Sequence, residues 1–238
     1  MSGALAKGAL VEYLPTSPVT PVVTVFQYNP ESMVHTWTQG QPSGKPGVES
    51  NNPLAVPGLP GESFQFTIFL DADDDMVSGV KARAQAAQKS GVGARLAALE
   101  MLLYPVAGPQ ASGGGSASPG GLIGTASAAS ASPTWNLPNS TVPIVLFFWN
   151  SNRIVPVRVT TLTITETLFD TDLNPTHAQA QLSLRVLTPT ELAAANPAPG
   201  TPADLAKAAY NQTFKTRSKW AASNTASPPV SITQKLPH

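Results

Sequence analysis

The chain has 238 residues, in which 14 Lys and Arg balance 14 Asp and Glu, and it has no cysteine. The neutral balance offers no basic surface for nucleic acid, and the missing thiols exclude disulfides, thiolate nucleophiles and thiolate metal sites. Only 12% of the residues are charged, and a surface with so little charge is more typical of a subunit of an assembly than of a free soluble enzyme.

The first predicted elements are β-strands at residues 8–13 and 22–37, which form a hairpin-like pair. Asn29 and Pro30 interrupt the second strand, although the apolar and aromatic residues on both sides favour β structure. Proline cannot donate to a strand ladder and restricts the residue before it. A break at this position therefore needs a structural reason.

The middle of the chain combines a strand with a helix. Apolar residues alternate from Phe64 to Leu70, which predicts a clean half-buried strand that ends in the acidic run DADDD. Leucines at helical spacing then predict a helix over residues 94–104, and Pro105 ends it.

Three further strands are predicted at residues 142–149, 154–169 and 177–187. In the middle one, the apolar parity changes between Val159 and Leu162, which indicates a β-bulge or a strand that switches faces. Residues 170–176 supply the turn into the last strand.

Together these elements predict an α+β fold that is mainly β: an antiparallel barrel, closed or nearly closed, with one mid-chain helix. Pro- and Gly-rich segments at residues 39–61 and 107–133 are predicted to be flexible insertions. A third such segment, at 188–202, indicates a linker. We therefore predict a barrel domain at residues 1–188 and a separate C-terminal segment at residues 189–238.

The acidic run is a candidate metal site. Asp71, Asp73 and Asp75 have the spacing that opens a calcium loop, but such a loop needs Gly at its sixth position and Glu at its twelfth. Met76 and Ala82 stand there instead. The better interpretation is that these carboxylates end a strand and cap a helix, so we expect no metal.

The sequence contains no coherent catalytic constellation. His35, His177 and His238 are isolated from one another, and no nucleophile elbow of the form GxSxG occurs. The stretch SGGGSASPGG has no following Lys-Ser/Thr pair, so it is not a phosphate loop. We expect a protein that is not an enzyme and has no cofactor.

The order of these pieces resembles the tube-like proteins of contractile injection systems, which are relatives of phage tails. VFQYNPES resembles the family's F-x-F/Y-N-P-x-S opening, and GESFQFTIFLDADDD is similar to its strand into an acidic turn. The helix ending LLYP, the strand VPIVLFFWN and the closing pair of strands continue the resemblance over roughly residues 8–188. The chain departs from the pattern at Asn150 and His177, where the family commonly has glycine and arginine.

The resemblance implies a structural subunit of the inner baseplate, a tube initiator or adaptor with a phage-tail-tube-like β-barrel. Six copies would form a ring that joins the spike hub to the inner tube and docks sheath-side adaptor or wedge proteins. Assembly would occur in the cytoplasm as part of a phage-tail-like particle, and the protein could be released extracellularly with that particle. Asn29 and Pro30 would end one strand at the barrel rim, and the chain would restart along a neighbouring edge.

The C-terminal segment is basic within a neutral chain and is predicted to be a docking arm with a short amphipathic helix. The candidate docking residues are Tyr210, Lys215, Arg217, Lys219 and Trp220, with the tryptophan as an aromatic anchor. The layout is faintly similar to a LysM-like module, which often accompanies this family, but it lacks that module's glycines. A disordered basic tail is the alternative.

Other functions stay open at this point. The same barrel could belong to a phage tail-tube or tail-completion protein. A carbohydrate-binding β module would use Trp37, Trp135, Trp149 or Trp220, although Trp149 ends an apolar strand and suits a core. No segment reaches the roughly 20 apolar residues of a bilayer span, and the N-terminus lacks a secretory apolar core, so we expect neither membrane insertion nor a signal peptide.

Overall fold

The computed structural model describes residues 6–13, 21–40, 56, 58–105, 142–195 and 198–224. Its strands are β1 (Ala9–Tyr13), β2 (Pro21–Val25), β3 (Met33–Thr38), β4 (Gly61–Asp71), β5 (Ile144–Asn150), β6 (Arg153–Phe169) and β7 (Pro175–Val186). Its helices are α1 (Ala72–Val77), α2 (Lys81–Ser90), α3 (Gly93–Met101), α4 (Pro189–Ala194) and α5 (Pro202–Asn224). The predicted insertion at 107–133 and most of that at 39–61 lie outside the described residues.

The strands form one seven-stranded sheet in the order β2-β1-β5-β6-β7-β4-β3. Every neighbouring pair is antiparallel. The prediction of a mainly β, α+β fold is therefore confirmed. Among the described residues β2 and β3 each pair on one side only, so the sheet is open and the predicted barrel closure is not confirmed.

The long central strands β6 and β7 contain the predicted bulge. Their register shifts between Val159, which pairs with Leu184, and Thr161, which pairs with Ser183. The Thr160 hydroxyl donates to the Ser183 carbonyl oxygen at 3.0 Å, which accommodates the extra residue. Because of this shift, the apolar side chains before and after the bulge face the same core.

The sheet curls around an aromatic core. Phe147 on β5 lies 5.3 Å from Phe64 and 5.4 Å from Phe66, both on β4, between ring centroids. These strands are three positions apart in the sheet, about 14 Å in a flat sheet with strands about 4.8 Å apart. The two rings can meet only if the sheet bends strongly toward this face.

The mid-chain segment forms α1, α2 and α3 rather than the single predicted helix. The predicted helix corresponds to α3, which buries Leu96 and Leu99. Helix α2 buries only Ala87, so its sequence carries no apolar stripe that periodicity could detect. Gly91 ends α2 at φ +56°, and a Cβ atom there would lie 2.0 Å from the Pro175 carbonyl oxygen. Only glycine permits this close approach to β7.

The acidic run caps α1, as predicted. The Asp71 side chain accepts a hydrogen bond at 2.9 Å from the backbone N–H of Asp73. Asp75 is buried and forms an ion pair with Arg95 of α3. These carboxylates therefore start one helix and tie it to another.

Helix α4 and the first turns of α5 pack on the face of the sheet opposite the aromatic core, whereas Tyr210, further along α5, packs against that core. Leu192 of α4 and Ala206 of α5 form a second apolar cluster with Leu146 of β5. Thr188 and Glu191 form a capping box that begins α4. A helix is present in the C-terminal segment, as predicted. At 23 residues, α5 is longer than the short helix that the sequence indicated. The division into two domains at residue 188 stays a prediction.

Candidate interaction site

The segment FQYNP, residues 26–30, carries the chain from one edge of the sheet to the other. Strand β2 forms one edge of the sheet, and β3 forms the opposite edge. The Asn29 side chain accepts from the Gly8 N–H at 2.9 Å and donates to the Ala6 carbonyl at 2.9 Å. The Asn29 amide thus bonds to the backbone just before β1 as the backbone of a neighbouring strand would. The strand thus ends before Asn29 and Pro30, and the chain restarts along β3, the opposite edge strand of the open sheet.

A second amide ties the same segment to the end of β4. The buried Gln27 side chain donates to the Asp71 carbonyl at 2.7 Å and accepts from the Asp71 N–H at 2.9 Å. The Phe26 N–H donates to the Gly8 carbonyl, and a Cβ atom on Gly8 would lie 2.8 Å from the Phe26 ring. The crossover (residues 26–30) therefore joins β1 to β4 across the gap left by the open sheet.

Helix α5 contacts the sheet where β7 has already ended. Val186, the last residue of β7, pairs with Val157, so Ile154 at the start of β6 lies beyond it. The Thr213 hydroxyl accepts from the Ile154 N–H at 3.1 Å and donates to the Ile154 carbonyl at 2.7 Å. Thr213 therefore replaces the missing strand partner and fixes α5 on β6.

One turn further along the chain, α5 is anchored to β4 and to the edge strand β3. Arg217 donates to the two carboxylate oxygens of Glu62 at 2.5 and 2.9 Å, and its guanidinium lies 4.9 Å from the centre of the Trp37 ring. His35 Nε2 lies 2.8 Å from the same carboxylate. Glu62 is 4% exposed, so these partners compensate for a buried charge.

The electrostatics of this anchor are set mainly by burial. Burial lowers the pKa of His35, and the nearby Arg217 and Arg153 act in the same direction, whereas Glu62 opposes them. Burial also raises the pKa of Tyr210, which packs against the main core. At neutral pH a neutral His35 and the Arg217 guanidinium therefore surround the Glu62 carboxylate.

The structure divides the predicted docking residues into two groups. Tyr210 packs inward, and Arg217 is engaged with Glu62 within the chain. Lys215 and Lys219 are exposed and lie on the helix side away from the sheet, because each is at least about 120° around the helix from every sheet-facing position. Trp220 is 54% exposed. The docking role itself stays a prediction, and it now concerns Lys215, Lys219 and Trp220.

Both edge strands expose apolar side chains. On β2, Val22 and Val23 are 42% and 53% exposed, and on β3, Val34 and Trp37 are 58% and 47% exposed. An exposed edge of this kind offers unpaired backbone groups to another chain. The sequence pattern showed the strands but not which of them lie at the edges, so the residues of this site could not be named from the sequence.

The remaining histidine lies in a groove at the far end of β4 and β7. A cavity of about 350 Å³ is lined by Tyr28, Phe69, Asp71 and His177, among others. His177 Nε2 is 3.3 Å from Asp71. The Tyr28 hydroxyl donates to Asp74, which raises the pKa of Tyr28 to about 12. The first contact joins β7 to the end of β4, and the second joins the crossover to α1. His238 lies outside the described residues.

The tryptophans occupy different environments. Trp149 packs against Phe147, with ring centroids 6.0 Å apart, which confirms its expected place beside the core. Trp37 lies under Arg217, and Trp220 is at the end of α5. Trp135 is outside the described residues.

Comparison with known proteins finds no match to this chain, either among protein-family models or among curated proteins. Within the described ranges, no helix combines the length and the apolar character required to cross a bilayer.

Proposed function

We propose that this protein is a structural, non-enzymatic subunit of the inner baseplate of a contractile injection system. Six copies form a ring that joins the spike hub to the inner tube. The observation that carries the proposal is the curled antiparallel sheet, in which the edge strands β2 and β3 each pair on one side only within the described residues and expose apolar side chains. A chain with two such edges gains stability when another copy covers them.

The strand directions favour a head-to-tail contact. Because all six neighbouring pairs are antiparallel, the first and seventh strands of the sheet run the same way. Strand β3 of one copy would therefore pair in parallel with β2 of the next. Such heterologous contacts close into a ring when the rotation between copies allows it. In this arrangement the assembly would complete the tube-like wall that one open sheet leaves incomplete.

The solvent side of α5 supports a second contact. Lys215 and Lys219 are exposed on the surface opposite the sheet, while Arg217 holds the helix in place. A partner with an acidic surface, such as a sheath-side adaptor or wedge protein, would suit these two lysines. Charge reversal at both lysines is expected to yield ring and spike without the sheathed baseplate, and normal contractile particles would contradict this docking role.

The decisive experiment is microscopy of the native particle with this subunit tagged. A label at the sheath–spike junction supports the proposal, and a label along the whole tail indicates a tail-tube protein instead. Discrete monomers with affinity for glycans would overturn the proposal in favour of a carbohydrate-binding module.

A further inference from the structure

Helix α5 continues beyond its contacts with the sheet. Its sheet-facing positions follow helical spacing: Ala206, Tyr210, Thr213 and Arg217. Trp220 continues this stripe three residues later, yet it is 54% exposed. All residues from 218 to 224 are exposed, and we name them the C-terminal overhang.

The direction of α5 places this overhang past the edge of the sheet. The helix meets β6 at Thr213 and then β4 and β3 at Arg217, and β3 is the last strand. Seven helical residues extend about 10 Å at about 1.5 Å each. That length corresponds to about two strand spacings of about 4.8 Å. The overhang therefore lies beyond the last contacts of α5 with the sheet, which are made with β4 and the edge strand β3.

We propose that the C-terminal overhang packs on β2 of a second copy of this chain, with Trp220 as the principal contact. This inference rests on the proposed ring and names the residues that would stabilise its junction. Strand β2, sequence PVVTV, is uncharged, and Val22 and Val23 point to opposite faces of the strand, both of them exposed. One of the two valines is therefore available to the indole on whichever face it approaches.

The anchor explains why the overhang can act as a preorganised contact. Arg217 is held by two hydrogen bonds to the buried Glu62 carboxylate and by the Trp37 ring, and Trp220 follows it by less than one helical turn. A rigid aromatic side chain loses little conformational entropy on binding, and such residues dominate many interfaces. At this junction the overhang would cover both β3 of its own copy and β2 of the second copy.

The test compares Trp220→Ala with Phe214→Ala in the full chain. Phe214 is equally exposed, at 54%, but it lies before Arg217 and so precedes the overhang. Sedimentation over a concentration series measures the association constant of each variant. We expect Trp220→Ala to weaken association at least tenfold and Phe214→Ala to leave it unchanged. Urea unfolding of the dilute protein should be nearly the same for wild type and Trp220→Ala, because Trp220 is 54% exposed and belongs to neither apolar cluster of the described residues.

A double-mutant cycle locates the contact on β2. Val22→Ala combined with Val23→Ala should weaken association, and adding Trp220→Ala should cost less than the sum of the separate effects. A wild-type protein that stays monomeric at every concentration overturns the ring and this inference with it. If the wild type assembles and Trp220→Ala assembles equally well, the inference is overturned and the ring is left intact. The same holds if the effects of the Trp220 and valine substitutions on association are additive.

Discussion

Two segments join distant strands of this sheet, and they do so by opposite chemistry. The crossover at residues 26–30 uses the neutral amides of Gln27 and Asn29, each bonded to backbone groups at both of its polar ends. Helix α5 uses the charged pair of Arg217 and Glu62. The amides substitute for a strand in the gap of the sheet, whereas the ion pair holds a helix at an edge. We therefore expect the helix contact to depend on pH through His35, which contacts Glu62 and whose pKa is lowered by burial, and the crossover amides to be insensitive to pH.

The largest effect is expected from Arg217→Ala. The substitution leaves Glu62, with 2% of its side chain exposed, as a buried carboxylate without its guanidinium partner. Breaking a buried pair from one side costs about 3–5 kcal/mol, and we expect about 3 kcal/mol because the Arg217 side chain is 26% exposed and water can enter. Urea unfolding measures the change.

The matched control for this variant is Lys215→Ala. Lys215 lies on the solvent side of the same helix, so its removal should change the free energy of unfolding by about 0.5 kcal/mol or less. Equal effects of the two substitutions would show that Arg217 does not anchor the helix.

A smaller effect is expected from Asn29→Ala. The substitution removes the partners of the Gly8 N–H and the Ala6 carbonyl, at a cost of about 1–3 kcal/mol in the free energy of unfolding. Asn211→Ala, on the exposed side of α5, serves as the control for loss of an amide. If Asn29→Ala is as stable as wild type, the amide does not substitute for a strand.

The third expected effect is a dependence of stability on pH through His35. Burial lowers the pKa of His35 in the folded chain below its ordinary value of about 6.5. The unfolded chain therefore binds more protons, so this contribution is complete above about pH 6.5 and is lost as the pH falls below it. His35→Gln should reduce the loss of stability between about pH 7 and about pH 5, measured relative to each protein at about pH 8. An unchanged pH profile would contradict the assignment.

The smallest effect is expected from deleting residues 111–130. This segment lies outside the described residues and has almost no large apolar side chain. A change of loop length costs about 0.6 kcal/mol per doubling, so folding should be nearly unaffected. Loss of soluble protein would show instead that the segment packs against a neighbour. The same deletion should also leave the crossover and the α5 anchor intact.

Local patterns in the sequence predicted much of this fold. The strands, the bulge after Val159, helix α3 and the cap at Asp71 all depend on neighbours within a few residues. A helix was expected after the acidic run, but its division into α1 and α2 was not, because α2 buries only Ala87 and shows no apolar periodicity. The destination of the chain after Pro30 could not be predicted, since pairing at the far edge depends on the curl of the whole sheet.

The candidate site was predicted only in part. The basic residues of α5 were identified, but the engagement of Arg217 depends on Glu62, which is 155 residues away in sequence. One signal was available: Glu62 shares the parity of the buried Phe64 on β4, so a buried carboxylate in need of a cation could have been inferred. The exposed edges required knowledge of the strand order.

Crosslinking between copies tests the central claim most directly, because the chain has no cysteine of its own. Val23→Cys on β2 and Val34→Cys on β3 place one thiol at each exposed edge. With a short bis-maleimide, the double variant should form a covalent ladder that stops at six subunits, and neither single variant should crosslink. Dimers from a single variant, or monomers from the double variant at concentrations where the protein assembles, would contradict a head-to-tail ring joined through β2 and β3.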